Sequence, residues 1–112
     1  MRHGRQSRLA EVGARGQERL ARSRVTLACD GLAGIVEARY LAGAGVGALS
    51  GPDAALAEAR RADASVRTEI APARVAQEPA ELAGLDASAR EVARGALAAL
   101  RALRGALDGA DG

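Results

Sequence analysis

Six consecutive residues, Cys29-Asp30-Gly31-Leu32-Ala33-Gly34, carry the types and spacing closest to a ligand site in this chain. A glycine-rich turn leading from a strand into a helix aims backbone N–H groups and the positive end of the helix dipole at one point, which suits a nucleotide phosphate. The full spelling of such a turn is G-x-G-x-x-G. Gly31 keeps the place where backbone approaches a pyrophosphate, and Gly34 keeps the place that lets the helix pack closely. Cys29 stands where the glycine of the tight turn belongs. Asp30 counts against a phosphate, because a carboxylate at contact distance repels it by roughly 1 kcal/mol even in high dielectric. Taken alone, a turn damaged in this way is more often structural than ligand-binding. Cys29 reads as a small buried apolar residue rather than a reactive thiol, since no base lies near it in sequence to lower its pKa.

Such a turn needs a strand before it and a helix after it. Val25-Thr26-Leu27-Ala28 is a short apolar run with β-branched residues, consistent with a buried parallel strand. From Leu32 to Ala44 there is no proline, and Leu32, Ile35, Val36 and Ala42 share one side at helical spacing, with Gly43 and Gly45 as a stop. Glu37 and Arg39 are the charges on this helix, and the apolar face would also carry Arg39, whose burial unpaired would be costly; either Arg39 snorkels past the edge of a reduced sheet or the helix is rotated or partly exposed, the exposed version being favoured. A second strand starts at Gly45–Leu49 and is broken by Ser50-Gly51-Pro52-Asp53. Ala54–Asp63 reads as a short helix, and Val66–Ile70 alternates like a half-exposed strand ending before Pro72. Residues 71–85 form a linker with a helical turn at Ala80–Ala83. The last third holds the best-formed helix: Ser88 with Glu91 makes a capping box, and Val92, Ala96, Ala99, Leu100, Leu103 and Leu107 share one face. The expected architecture is α/β, a reduced Rossmann-like three-layer unit with a small parallel sheet, an N-terminal helical arm and a C-terminal amphipathic helix. It forms a single domain over 1–112, with the arm at 1–22, a truncated nucleotide-binding-like core at 23–75, and linker and helix at 76–112.

Composition narrows the function classes. Tyr40 is the sole aromatic, so the core must be built from Ala, Val, Leu and Ile, and a thin core of this kind gains from a partner or self-association. The net charge of +2 is uneven: residues 1–52 carry eight arginines against Glu11, Glu18, Asp30 and Glu37, and the remainder is net negative. Without interleaved aromatics or a recognition motif, the basic arm reads as a solvated face and not as a nucleic-acid site. A lone cysteine excludes an internal disulfide and fits a reducing cytoplasm. No signal peptide or membrane span is expected, since charge interrupts every apolar stretch well short of the ~20 residues a spanning helix needs. His3 has no second ligand candidate near it, so no metal site is expected.

Beyond the turn itself, Arg2-x-x-Arg5-Gln6, then Glu11-Val12-Gly13-x-x-Gly16-Gln17-x-x-Leu20, then Tyr40-Leu41-Ala42-x-Ala44-Gly45-Val46-Gly47 follow in register. Over this N-terminal part the chain resembles the ThiF/MoeB/HesA family, bacterial relatives of ubiquitin-activating enzymes. The resemblance implies a dinucleotide-like fold that uses ATP and magnesium to adenylate the C-terminal carboxylate of a ubiquitin-like or sulfur-carrier protein, usually as a dimer. It implies nucleotide-binding roles for Gly31 and Gly34. It also implies a role for Asp53 on the ribose, the interval from Gly34 fitting the expected spacing of about 20 residues. Arg5 would reach into a neighbouring subunit's site, the plain alternative being a surface arginine beside Glu11.

The chain departs from the family after Leu49. The Asn-Leu-x-Arg-Gln segment is missing, there is no lysine at all, and Asp86-Ala87-Ser88 is at most a remnant of the Asp-x-x-Asp-Asn adenylation motif. Some tens of residues look deleted, and no residue is assigned a catalytic role. The expectation is a catalytically inactive pseudo-enzyme with a vestigial nucleotide site. It would form a homodimer, or a heterodimer with a full-length family member, or bind a ubiquitin-like protein. The alternatives are an active adenylyltransferase completed by a partner subunit, and a non-functional remnant of a larger gene.

Overall fold

In the computed structural model, residues 13–74 and 80–108 are described. Helix α1 covers 13–22 and leads into strand β1 (Arg24–Thr26). Helix α2 (Gly31–Ala44), strand β2 (Ala48–Gly51), helix α3 (Asp53–Ala62) and strand β3 (Arg67–Ile70) follow. A 3₁₀ turn at Ala80–Gly84 precedes helix α4 (Ala87–Leu107). The strands form one parallel sheet in the order β1-β2-β3, with Val25 opposite Leu49 and Leu49 opposite Thr68. The mixed α/β class, the small parallel sheet and the C-terminal amphipathic helix agree with the sequence reading. Strand β2 runs on through Ser50 and Gly51, so the break falls at Pro52, the residue without an N–H to give to the ladder.

Side chains alternate across the sheet. Val25, Leu27 and Leu49 turn toward the helices and join Leu41, Val46 and Leu56 in the core, with Ala38, Ala42, Ala55 and Ala59 filling the gaps. The opposite face carries Arg24, Thr26, Arg67 and Glu69, all exposed. Central strand β2 is nonetheless buried along its whole length. Helix α2 lies between α3 on one side and α4 on the other.

Both larger helices are rotated relative to the faces read from periodicity. Helix α2 buries Ala33, Gly34, Glu37, Ala38, Leu41 and Ala42, and leaves Leu32, Arg39 and Tyr40 exposed. Arg39 therefore needs no partner in the core. Helix α4 buries Gly95 and Ala99 and keeps Leu103 against the core, so those two of the expected face, Ala99 and Leu103, turn in, while Val92, Leu100 and Leu107 lie outside. The small residues face inward because the two helices approach closely: a Cβ on Gly95 would overlap the Ala33 carbonyl oxygen and crowd Val36. The cap of α4 also differs from the Ser88 box. Asp86 is the N-cap, and its carboxylate accepts the Ala89 N–H at 2.9 Å.

Candidate functional site

The turn after β1 has the expected outline, strand to glycine turn to helix. Gly31 has φ +58°, a left-handed conformation that costs glycine nothing and strains any other residue. Nothing lies near its missing Cβ, so the requirement here is backbone conformation and not space. Gly34 is the opposite case. A Cβ there would overlap the Cys29 carbonyl oxygen, so its absence lets α2 start tight against the turn, as the sequence reading gives it.

Asp30 occupies the N-cap of α2 without a side-chain capping bond. Its side chain is 81% exposed, and the guanidinium of Arg94, from α4, stands 4.0 Å away. That guanidinium is already held by Glu91 at 2.9 Å, so two carboxylates share one cation beside the first turn of α2. Asp53 opens α3, just past the end of β2, where its charge suits the positive end of that helix. Gly31 and Asp53 thus follow the C-terminal ends of two neighbouring strands, the edge at which open α/β sheets bind ligands. Arg5 and His3 lie outside the described residues.

That edge is crossed by the chain itself. Ala71 N–H donates to the Gly51 carbonyl at 2.9 Å, and three residues later Arg74 N–H donates to the Leu27 carbonyl at 2.7 Å. Residues 71–74 therefore strap the ends of β2 and β1. Their bond to Leu27 stands where the next residue of β2 would donate, were it not Pro52.

Beneath the turn sits a residue that sequence reasoning did not single out as functional. Glu37 is 1% exposed. Both its carboxyl oxygens accept the Ala28 N–H, at 3.0 and 2.9 Å, and Oε1 also accepts the Cys29 N–H at 3.0 Å. Burial pushes the carboxyl above its ordinary range, against the pull of those two N–H groups, the Cys29 thiol and the Arg74 charge. A glutamate on a helix whose other charge is Arg39 was the available signal, but only the fold says that Glu37 turns inward while Arg39 stays out. Glu37 closes the turn from within by pairing amides that β1 has no neighbouring strand to pair.

Cys29 is 1% exposed and its thiol is pushed up to about 11, first by burial and then by the Glu37 carboxyl beside it. This fits the reading of Cys29 as a buried apolar residue. Ellman's reagent at pH 7.5 is expected to label it only as fast as the domain opens, at least tenfold slower than in 6 M urea. Immediate labelling of the folded chain would contradict the burial.

Among the described residues no cluster of His, Cys, Asp or Glu could hold a metal ion, and no helix is long and apolar enough to cross a membrane. Comparison with family models, with curated proteins and with solved structures finds no match to this chain.

Proposed function

We propose that the protein is a shortened, ThiF/MoeB-like relative of the ubiquitin-like-modifier activating enzymes that no longer adenylates and works by association. The observation that carries this reading is the charge around the first turn of α2: Asp30 exposed at the N-cap, and Arg94 already committed to Glu91. A triphosphate would meet a net negative rim at the spot where helix dipole and amides should attract it. The strap at 71–74 across the strand ends adds to the misfit. The residues present do not suit ATP and magnesium, and no adenylation step is assigned to them.

Association is supported by the rotated helices. Leu32 and Tyr40 of α2 are 45% and 57% exposed, and Val92 and Leu100 of α4 are 45% and 60% exposed. Val36, Arg39, Tyr40 and Val92 line one shallow groove between the two helices. Large apolar side chains left exposed on adjacent helices are what a second copy, or a full-length relative of the same family, would cover.

Isothermal titration with ATP and magnesium is expected to show no binding tighter than millimolar. Light scattering is expected to give a dimer that Tyr40→Glu with Leu100→Glu converts to a folded monomer. The second reading, an adenylyltransferase of a ubiquitin-like or sulfur-carrier protein completed by a partner subunit, draws support from Gly31 and Asp53 following adjacent strand ends. Micromolar ATP binding lost in Gly31→Val would favour that reading and end the first.

A further inference from the structure

Strand β1 is an edge. Its ladder with β2 uses the peptide groups of Ser23, Val25 and Leu27, as Ala48 N–H donating to the Ser23 carbonyl and Leu27 N–H donating to the Ser50 carbonyl make plain. By alternation the N–H and C=O groups of Arg24 and Thr26 turn the other way, and no described residue pairs with them. Ala28, the next outward residue, has its N–H closed by Glu37, so the open edge stops there.

Beside this edge runs a groove of about 670 Å³, walled on the far side by Ala102, Gly105 and Ala106 of α4. Its charged lining is Arg24 and Arg74 together with Arg19, which donates to the Leu107 carbonyl at 2.6 Å, and Arg22, which has Glu18 at 3.6 Å in an exposed pair; no carboxylate is among the described lining residues. It continues past Thr26, Arg74 and Ala102 into a cavity of about 170 Å³ that adds Arg101 and Arg94, the latter paired with Glu91 and 4.0 Å from Asp30; Glu37, the carboxyl in its lining, is bonded to backbone. Small residues on α4 leave width for a backbone, no described residue pairs with two peptide units of the edge, and the charged side chains that line the larger groove are all arginines.

We propose that this groove binds an extended acidic segment of a partner protein, which adds to β1 as a fourth strand. Its peptide groups pair with those of Arg24 and Thr26. Alternate carboxylates face the arginines, and the apolar residues between them lie toward Val25, Ala102 and Ala106. A second copy of this chain is disfavoured here, because edge-to-edge pairing would set Arg22 and Arg24 against their own equivalents. The proposal stands whether or not the turn binds ATP, and it uses a surface separate from the apolar stripe of α2 and α4.

The test is fluorescence anisotropy with a blocked, labelled heptapeptide alternating glutamate and valine, titrated with the full chain. Saturable binding is expected, with at least a tenfold loss in two cases: Arg22→Glu with Arg24→Glu in the protein, and proline for both the central valine and the glutamate before it in the peptide, with one glutamate added at its end to keep the charge. Circular dichroism on the protein variant checks that it stays folded, both positions being exposed. Slowed hydrogen exchange at the Thr26 amide on adding peptide is the second readout. Three results would overturn the proposal. An absence of binding would leave the arginines as guards that keep other strands away from the edge. Equal binding of the proline peptide would reduce the contact to unspecific charge attraction. Tighter binding of a single-stranded oligonucleotide of the same charge would assign the groove to nucleic acid.

Discussion

Glu37→Ala is expected to lower the unfolding free energy, measured by urea denaturation, by about 2–6 kcal/mol, a large part of the stability of a small domain. The figure follows from two amides. Ala28 and Cys29 are 7% and 1% exposed, and the carboxyl of Glu37 is the acceptor for both N–H groups. Truncation leaves two buried donors unpaired at about 1–3 kcal/mol each. Water entering from the adjoining cavity of about 170 Å³ would bring the loss toward the lower end of the range.

Glu37→Gln separates hydrogen bonding from charge. Burial raises the carboxyl above its ordinary value of 4.5, so the folded chain holds that proton more tightly than the unfolded chain does. The stabilising effect of this linkage is therefore complete below the unfolded value and is lost as pH rises through the folded one. Subtracting the glutamine variant cancels the other titrating groups. The difference in stability between wild type and Glu37→Gln is expected to favour wild type most in acid and to shrink from about pH 4.5 upward. A difference that grows with pH would mean that the amides and Arg74 outweigh burial.

The second large effect is a pair of opposite sign on one helix. Gly95→Val is expected to cost about 1–3 kcal/mol or more, because its side chain would have to enter the space held by the Ala33 carbonyl and Val36, prising α4 from α2. Gly105→Ala, on the same helix, is expected to gain about 0.5–1 kcal/mol: the position is exposed and a Cβ there meets nothing. Thermal melts followed by circular dichroism read both. Equal destabilisation by the two substitutions would mean that the α2 and α4 contact is not centred on Gly95.

From the amino-acid sequence alone both glycines carry the same intrinsic penalty, and the difference in sign exists only once the helices are placed. The same holds for Asp30 and Arg94, far apart in the chain yet facing each other beside the turn. The 71–74 segment, read as linker, becomes a strap because Pro52 leaves the Leu27 carbonyl open to the Arg74 N–H.

Local chemistry sufficed for the order of elements. β-branched runs, proline and glycine stops, and apolar spacing are properties of neighbours in the chain, so β1, α2, β2, α3, β3 and α4 could be read from them to within a few residues. The glycine turn was legible for the same reason, since a left-handed Gly31 and a close-packed Gly34 are demands of one short segment. The inward face of each long helix was legible only in part: Ala42 in α2 and Ala99 and Leu103 in α4 lie inward as the stripe puts them, while Leu32, Val92 and Leu100 do not. Periodicity marks an apolar stripe but carries no sign for which side the rest of the molecule will occupy. In α2 and α4 close backbone approach selected Ala33, Gly34, Gly95 and Ala99 for the inside, turned Leu32, Tyr40 and Leu100 out, and drew Glu37 in to pair two amides at an unfinished sheet edge.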